Sequence, residues 1–485
     1  MRGASLALAR LSSLSVAATL FVAACGGGAA QPTAAPAAAP TTAPAKPAAS
    51  PSAAAAASPS AAAAASPAAK PGASPAASPA ASPSAIAAPS PSPAAASQLT
   101  GTIKIVSSLP RTGSSKGQTD TIVNAFKMAL QDIGASADGS GGKLGGATIV
   151  YQDLDDATAA KGAWDAAQEA QNANQALNDA QVMVYIGTFN SGAAKVSIPI
   201  LCKANLGMIS PANTYPGLTK KVEGAVEANE PDVYYEGCKR NYTRVVPSDE
   251  IQGAAAANWS KQLGATKVYV LDDTELYGHG IAVVYANTAP KLGLQLVGGP
   301  EGIDSKASDY RALAQKIRAS GADLVFFGGI TQNNAGKLWQ DLRDTLGNDV
   351  KLMGPDGIFE QAFIDAAGPA AEGTYITFGG VPPSKLTGSG AQWYQKYKQE
   401  YNAEPEAYAG YGYESMKVAL DAIQRAGKAD RAAIRDAVFG TRNFNGVLGT
   451  WSFSDTGDTS LTQMSGRQVK NGAFDDANAT TLAAP

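Results

Sequence analysis

The chain has 485 residues, a formal net charge of −3 and a single histidine. So slight a charge imbalance, with no basic stripe interleaved with aromatics, excludes an electrostatic case for nucleic acid as a partner. One histidine beside three cysteines leaves little material for a zinc site.

The first element in chain order is an export signal. Arg2 and Arg10 supply a positive start. Leu11 to Ala24 is apolar, about the length of a signal core and too short for a comfortable membrane span. It ends in Val22-Ala23-Ala24-Cys25, followed by three glycines. This pattern resembles the bacterial lipobox. The resemblance implies that residues 1–24 are removed and that Cys25 becomes the lipidated first residue; the alternative is ordinary cleavage beside a stray cysteine. An acyl chain holds a protein on a bilayer at about 0.8 kcal/mol per buried methylene. Gln31 to Gln98 is nearly all Ala, Pro, Ser and Thr. It has no apolar pattern to bury and cannot offset the entropy of folding. Residues 25–99 are therefore expected to be a lipidated cysteine and a disordered tether, with Ala-Ser-Pro steps favouring polyproline II.

From about Leu99 the composition becomes that of a globular protein, and roughly 385 residues are enough for two compact units. Strand and helix signals alternate. Thr102–Val106 reads as strand, Thr121–Ile133 as helix and Ala147–Tyr151 as strand. Trp164–Ala180 reads as helix, Val182–Ile186 as buried strand, Ile198–Leu206 as helix and Gly207–Ser210 as strand. After Val222–Arg240, expected to be a surface excursion, the alternation restarts. Helices at 251–264, 278–292, 310–320 and 331–346 alternate with strands at 267–271, 295–298, 324–327 and 351–353. Two such sets predict α/β lobes whose parallel sheets carry helices on both faces. Ligands of such sheets bind beyond the C-terminal strand ends, which makes the loops 107–117, 187–194, 210–214, 272–278, 328–332 and 354–357 the places to search.

Cys202 and Cys238 remain after Cys25. An exported chain meets an oxidising compartment, so a disulfide between them is expected; two buried free thiols are the alternative. The loop of about 35 residues would contribute roughly 3–4 kcal/mol in the chain-entropy model.

Several stretches in order carry a likeness to a known family. They are Leu109-Pro110-x-Thr112-Gly113, Gln152-Asp153-x-Asp155-Asp156-Ala157, Ile186-Gly187 and Ile209-Ser210-Pro211-Ala212-Asn213-Thr214. Further on come Arg244-Val245-x-Pro247-x-Asp249-x-x-Gln252-Gly253, Leu276-Tyr277-Gly278 and Met353-Gly354-Pro355-Asp356-Gly357. With these the chain resembles the type I periplasmic binding proteins, most closely the branched-chain amino acid receptors of ABC transporters. The resemblance implies two doubly wound parallel-sheet lobes joined by three hinge crossings, a Venus-flytrap. Lobe 1 is expected at 100–246 plus 377–443 and lobe 2 at 247–376 plus 444–485.

By the same resemblance Ser191, Ala212 and Thr214 grip the α-carboxylate of an amino acid. Asp356, where the family often has Glu, faces its ammonium, and Tyr277 packs on it. The plainer alternatives are helix capping for Ser191 and Thr214, a turn role for Asp356, and simple burial for Tyr277. Ile330 stands where the family often shows an aromatic, and Lys116 where another precedes Gly117.

The implied function is an extracytoplasmic lipoprotein, held on the cell membrane by its lipid, that binds a small amino-acid-like ligand and passes it to ABC permease subunits. No cofactor or metal is expected. Two other functions remain open: a sensory or scavenging receptor for amides, urea or aromatic acids, and an extracellular enzyme. The enzyme has little support. His279 lies in a helix-start context, no G-x-S-x-G elbow or Walker loop occurs, and Gly139–Gly146 precedes a strand where a dinucleotide loop would follow one. Asp153, Asp155 and Asp156 read as a strand end and turn.

Overall fold

The computed structural model describes residues 99–485. The export signal, Cys25 and the tether therefore lie outside the described residues. Among the described residues no helix is long and apolar enough to cross a membrane.

The first sheet is built from β1 (Thr100–Leu109), β2 (Gly142–Leu144), β3 (Gly146–Asp155), β6 (Val182–Gly187), β7 (Gly207–Ser210) and β8 (Tyr242–Arg244). A small ribbon, β4 (Ala157–Thr158) with β5 (Ala163–Trp164), projects between β3 and β6. The spatial order is β2-β3-β1-β6-β7-β8, parallel except for the β2–β3 hairpin. Helices α1 (Lys116–Gln131), α2 (Ala166–Asn178) and α3 (Ser191–Cys202) connect these strands. Every residue of the central strand β6 is buried, as a strand covered on both faces requires. In α1 the buried Ile122, Phe126 and Ala129 recur at helical spacing and form the inward stripe.

The second sheet contains β9 (Lys267–Asp272), β10 (Gln295–Gly302), β11 (Leu324–Gly328), β12 (Lys351–Gly354) and β13 (Tyr375–Gly379), all parallel. Its helices are α4 (Asp249–Gln262), α5 (Leu276–Thr288), α6 (Arg311–Ser320), α7 (Ala335–Leu346) and α8 (Gln361–Ala367). After β13 the chain returns to the first sheet. There α9 (Ser389–Tyr401), α10 (Ala409–Ala426) and α11 (Arg431–Phe439) pack, α10 along α1 and α11 on β7. The hairpin β14 (Phe444–Gly446) and β15 (Gly449–Trp451) rests on α10, where Glu414 accepts hydrogen bonds from the Trp451 indole at 2.6 Å and Val447 N–H at 2.9 Å. The chain then crosses again. Strand β16 (Met464–Lys470) pairs antiparallel with β13, flanked by β17 (Ala473–Phe474) and β18 (Thr480–Leu482). The fold is thus two doubly wound lobes, with connections between them at 245–248, 380–388 and 452–463.

Three local expectations need correction. Helix α3 starts at Ser191, not Ile198, and tolerates Pro199 in its interior. The run Ser191–Ser197 is small residues except for Lys195 and Val196 and shows no apolar period, so its helicity comes from packing between sheet and cleft. Trp164 belongs to β5 and not to a helix, because Asp165 caps α2 by accepting from the N–H groups of Ala167 and Gln168 at 2.9 and 3.1 Å. The centre of the Val222–Arg240 stretch is buried rather than superficial. Tyr234 and Tyr235 pack into the lobe, and Glu230, 1 % exposed, accepts from the hydroxyls of Tyr215 and Tyr234. At its end Cys238 faces Cys202, the last residue of α3, with Cα atoms 5.9 Å apart, within disulfide reach.

Candidate ligand-binding site

The strand ends of both sheets open onto one cleft. Gly187 ends β6, and four residues later Ser191 opens α3. Ser210 ends β7 and shapes the loop that follows: its hydroxyl accepts from the N–H groups of Ala212 and Asn213 at 3.1 and 2.8 Å and donates to Thr188 O at 3.0 Å. Asn213 fixes the neighbouring loop by donating to Phe189 O at 2.9 Å. Ser191 Oγ accepts from Tyr215 N–H at 3.3 Å, which leaves its own proton as a donor. Ser191, Ala212 and Thr214 therefore form one wall, in which the Ser191 hydroxyl and the first turn of α3 supply donors.

The facing wall comes from the second sheet. Tyr277 lies in the first turn of α5, and Asp356 follows β12. The Tyr277 hydroxyl donates to Asp356 Oδ1 at 2.7 Å and accepts from Gly357 N–H at 3.0 Å. Gln252 of α4 donates to the same carboxylate oxygen at 2.8 Å, and the Tyr408 hydroxyl donates to the other. Gly357 has no room for a Cβ, which would lie 2.4 Å from Gly329 O and 2.7 Å from the Tyr277 ring. Glycine here lets the Asp356 turn approach Tyr277.

The two walls face each other across one cavity. All five residues expected at the site, Ser191, Ala212, Thr214, Tyr277 and Asp356, line this one cavity. Sequence reasoning missed much of the rest: Trp164, Phe189, Asn190, Glu275 and Tyr408 also line it, and Ile330 supplies an aliphatic patch. Trp164 reaches it because Gly192 lacks a side chain; a Cβ there would lie 2.6 Å from the indole. Tyr408 arrives with the chain's return to the first lobe and meets Phe189 edge-on at 5.6 Å. No local motif marks Tyr408. The Gly192 beside Ser191 was the one signal that something large packs on the start of α3.

The electrostatics of the cavity are one-sided. Asp356 and Glu275 line it, and no lysine or arginine does. Burial raises the Asp356 pKa, although hydrogen bonds from Tyr408, Tyr277 and Gln252 oppose the rise. Beneath it lies Asp249, fully buried, with no hydrogen bond of good geometry to either carboxylate oxygen. Burial and the Asp356 charge push its pKa well up, and the Thr214 hydroxyl offsets only part of this. The two carboxyls therefore titrate as a pair. Asp249 also anchors the opposite wall, since its backbone N–H donates to Thr214 O at 2.9 Å. Asp273 organises the loops around the cavity by accepting from Ile330 N–H at 3.0 Å and Asn333 at 2.8 Å; burial raises its pKa to about 7. The arrangement offers donors to an anion on one side, acceptors to a cation on the other and aromatic faces between.

The other candidates lie apart from this cavity. His279 is exposed and hydrogen-bonds Asp272 at 3.1 Å. Asp153 and Asp155 hold the first loop, accepting from the Arg111 side chain at 2.9 Å and the Arg111 N–H at 2.7 Å respectively.

A model of the periplasmic binding protein family matches residues 102–473. A Leu/Ile/Val-binding protein homolog of Brucella abortus is 28% identical over 353 residues, 73% of this chain and 86% of that protein. The crystal structure of a leucine-binding protein from Thermotoga maritima superposes with a TM-score of 0.67 at 25% identity, covering 79% of this chain and 99% of that one. A solute-binding protein of an ABC transporter from R. palustris, in complex with benzoate, shares the fold with a TM-score of 0.63 at 18% identity, covering 79% and 97%.

Proposed function

Because the chain belongs to the periplasmic binding protein family, we propose that it is the substrate-binding component of an ABC importer and captures an amino-acid-like ligand between its lobes outside the membrane. One observation carries this reading. Ser191, Ala212 and Thr214 from one lobe converge with Tyr277 and Asp356 from the other on a single cavity. A zwitterion fits that polarity: its carboxylate meets the donors of the α3 wall and its ammonium meets Asp356. An aromatic acid, the ligand in the R. palustris structure, could place its carboxylate on the same donors but would bring no cation to meet Asp356 and Glu275. Ligand binding then shifts the population toward the closed form, which docks on permease subunits.

A thermal-shift screen of purified residues 100–485 tests this reading. An α-amino acid at 100 times its dissociation constant is expected to add about 2.7 kcal/mol of stability. Stabilisation by benzoates alone, or by no amino acid, would defeat the proposal.

Anchoring belongs to the same reading. Cys25 would carry the lipid, the Ala/Pro/Ser tether would hold the lobes away from the bilayer, and Cys202 would be disulfide-bonded to Cys238. Mass spectrometry of the exported protein is expected to find an acylated Cys25 at the mature N-terminus and a crosslinked Cys202–Cys238 peptide. An unmodified N-terminus would rule out the anchor, and alkylatable thiols at 202 and 238 would rule out the crosslink.

A further inference from the structure

The ammonium partner Asp356 is already heavily engaged. Its two oxygens accept three hydrogen bonds from protein donors, Gln252, Tyr277 and Tyr408. The second acid of the cavity is in the opposite condition. Glu275 immediately precedes α5, and its backbone N–H is held by Asp273 at 3.1 Å. Its carboxylate has neither a hydrogen bond nor an ion pair with any described residue, although it lines the cavity and is partly buried. The one nearby cation, Lys161, is an exposed ammonium bound to Asp165 at 2.7 Å. On the first lobe Asn190 lies at the start of α3, which packs against α5 across the cleft. Asn190 Oδ1 is also buried and without a hydrogen-bond partner, and Asn190 lines the same cavity. Three aromatic side chains, Trp164, Phe189 and Tyr408, line the same cavity with the aliphatic Ile330.

These observations describe an incomplete cation site. A partly buried carboxylate whose nearby cation is already paired elsewhere is costly, and so is a buried acceptor left without a partner. Aromatic faces favour a cation and gain nothing from an anion. A purely aliphatic side chain would leave both acceptors unmet. We infer that Glu275 is the specificity-determining residue of this cavity: it takes a cationic group, ammonium or guanidinium, at the far end of the ligand's side chain, so that the preferred guest is a basic amino acid. This rests on the proposal that the cavity binds an α-amino acid; Asp356 serves the α-ammonium and Glu275 the second charge.

Calorimetric titration of the full-length protein with L-lysine, L-arginine and L-norleucine tests the inference. Norleucine matches the lysine chain in length and lacks its charge. Lysine or arginine is expected to bind about tenfold or more tightly than norleucine. Glu275→Gln, which keeps the size and removes the charge, is expected to erase that preference. Its melting temperature should equal or exceed that of the parent, because the carboxylate holds nothing in the unliganded protein and its charge is disfavoured by burial. Equal binding of lysine and norleucine, or a lysine preference that survives Glu275→Gln, would overturn the role of Glu275 while leaving the amino acid reading intact. Failure of all three ligands and of leucine to bind would overturn both.

Discussion

Replacing Asp356 by alanine is expected to weaken an ammonium-bearing ligand by about tenfold or more, at least ~1.4 kcal/mol of binding free energy. The side chain is 5 % exposed and lines the cavity, so it meets the ligand where water is scarce and a charge–charge hydrogen bond is strong. The alanine variant also removes the acceptor for Gln252, Tyr277 and Tyr408, and unmet buried donors cost about 1–3 kcal/mol each. Stability could therefore fall together with affinity. Asp356→Asn separates the two effects better, since it removes the charge in a side chain of the same shape and keeps one of the two acceptor oxygens. Both variants should lose affinity by isothermal titration, and the asparagine variant should lose less stability.

A pH series adds a sign. Burial raises the Asp356 pKa above its ordinary value, so on acidification the wild-type carboxylate takes its proton earlier than an exposed one. Affinity for the ammonium should fall as pH drops through that range, whereas Asp356→Asn should show no such limb. Unchanged affinity in both variants would remove Asp356 from the site.

The second large effect is expected at Arg244, which is fully buried at the end of β8. Its Nε donates to Asp458 Oδ1 at 2.7 Å, and one terminal nitrogen donates to the carbonyls of Tyr215 at 2.8 Å and Asn213 at 3.3 Å. The pair ties the edge of the first sheet to the 452–463 connection and holds the loop that carries Thr214. Thr219 donates to the same Asp458 oxygen at 2.9 Å, and Lys220 lies 3.2 Å from the other. Removing one partner of such a pair strands the other in the interior, at a cost of about 3–5 kcal/mol. Arg244→Met fills similar volume without charge, and its urea unfolding should show that loss.

Burial alone would push the Asp458 pKa up, but the Arg244 and Lys220 charges outweigh it and hold the carboxyl well below the usual range. A carboxylate depressed in the folded state contributes stability that is complete above its unfolded pKa of about 3.9 and drains as pH falls below it. The wild type should therefore lose stability in strong acid more steeply than Arg244→Met. A loss under about 1 kcal/mol at neutral pH would mean that the pair contributes little beyond what a buried methionine supplies.

Much of the architecture is legible in the amino-acid sequence. The order of strands and helices from Thr102 to Met353 follows from short continuous apolar runs and from apolar residues at helical spacing, and both are local properties of the chain. The site loops are legible too, because a parallel sheet places ligand contacts beyond its C-terminal ends. Ser191, Ala212, Thr214, Tyr277 and Asp356 stand on such loops and line a common cavity. Elsewhere local signals are weak or misleading. Pro199 and a run of small residues hide the first turns of α3. The aromatic centre of Val222–Arg240 looks superficial because its burial depends on Glu230 accepting from Tyr215 and Tyr234, residues 15 and 4 positions away.

By itself, then, the sequence determined the layered α/β plan, the pairing of polar loops with strand ends and the character of each wall. Burial periodicity and turn chemistry are written over a few residues at a time. Only the tertiary structure decided what shares the cavity with those loops. Trp164 arrives from a ribbon beside the sheet, and Tyr408 from the return crossing some 50 residues beyond Asp356. Long-range closure of the chain brings such side chains together, and the free energy that holds them there belongs to the assembled lobes and not to any segment.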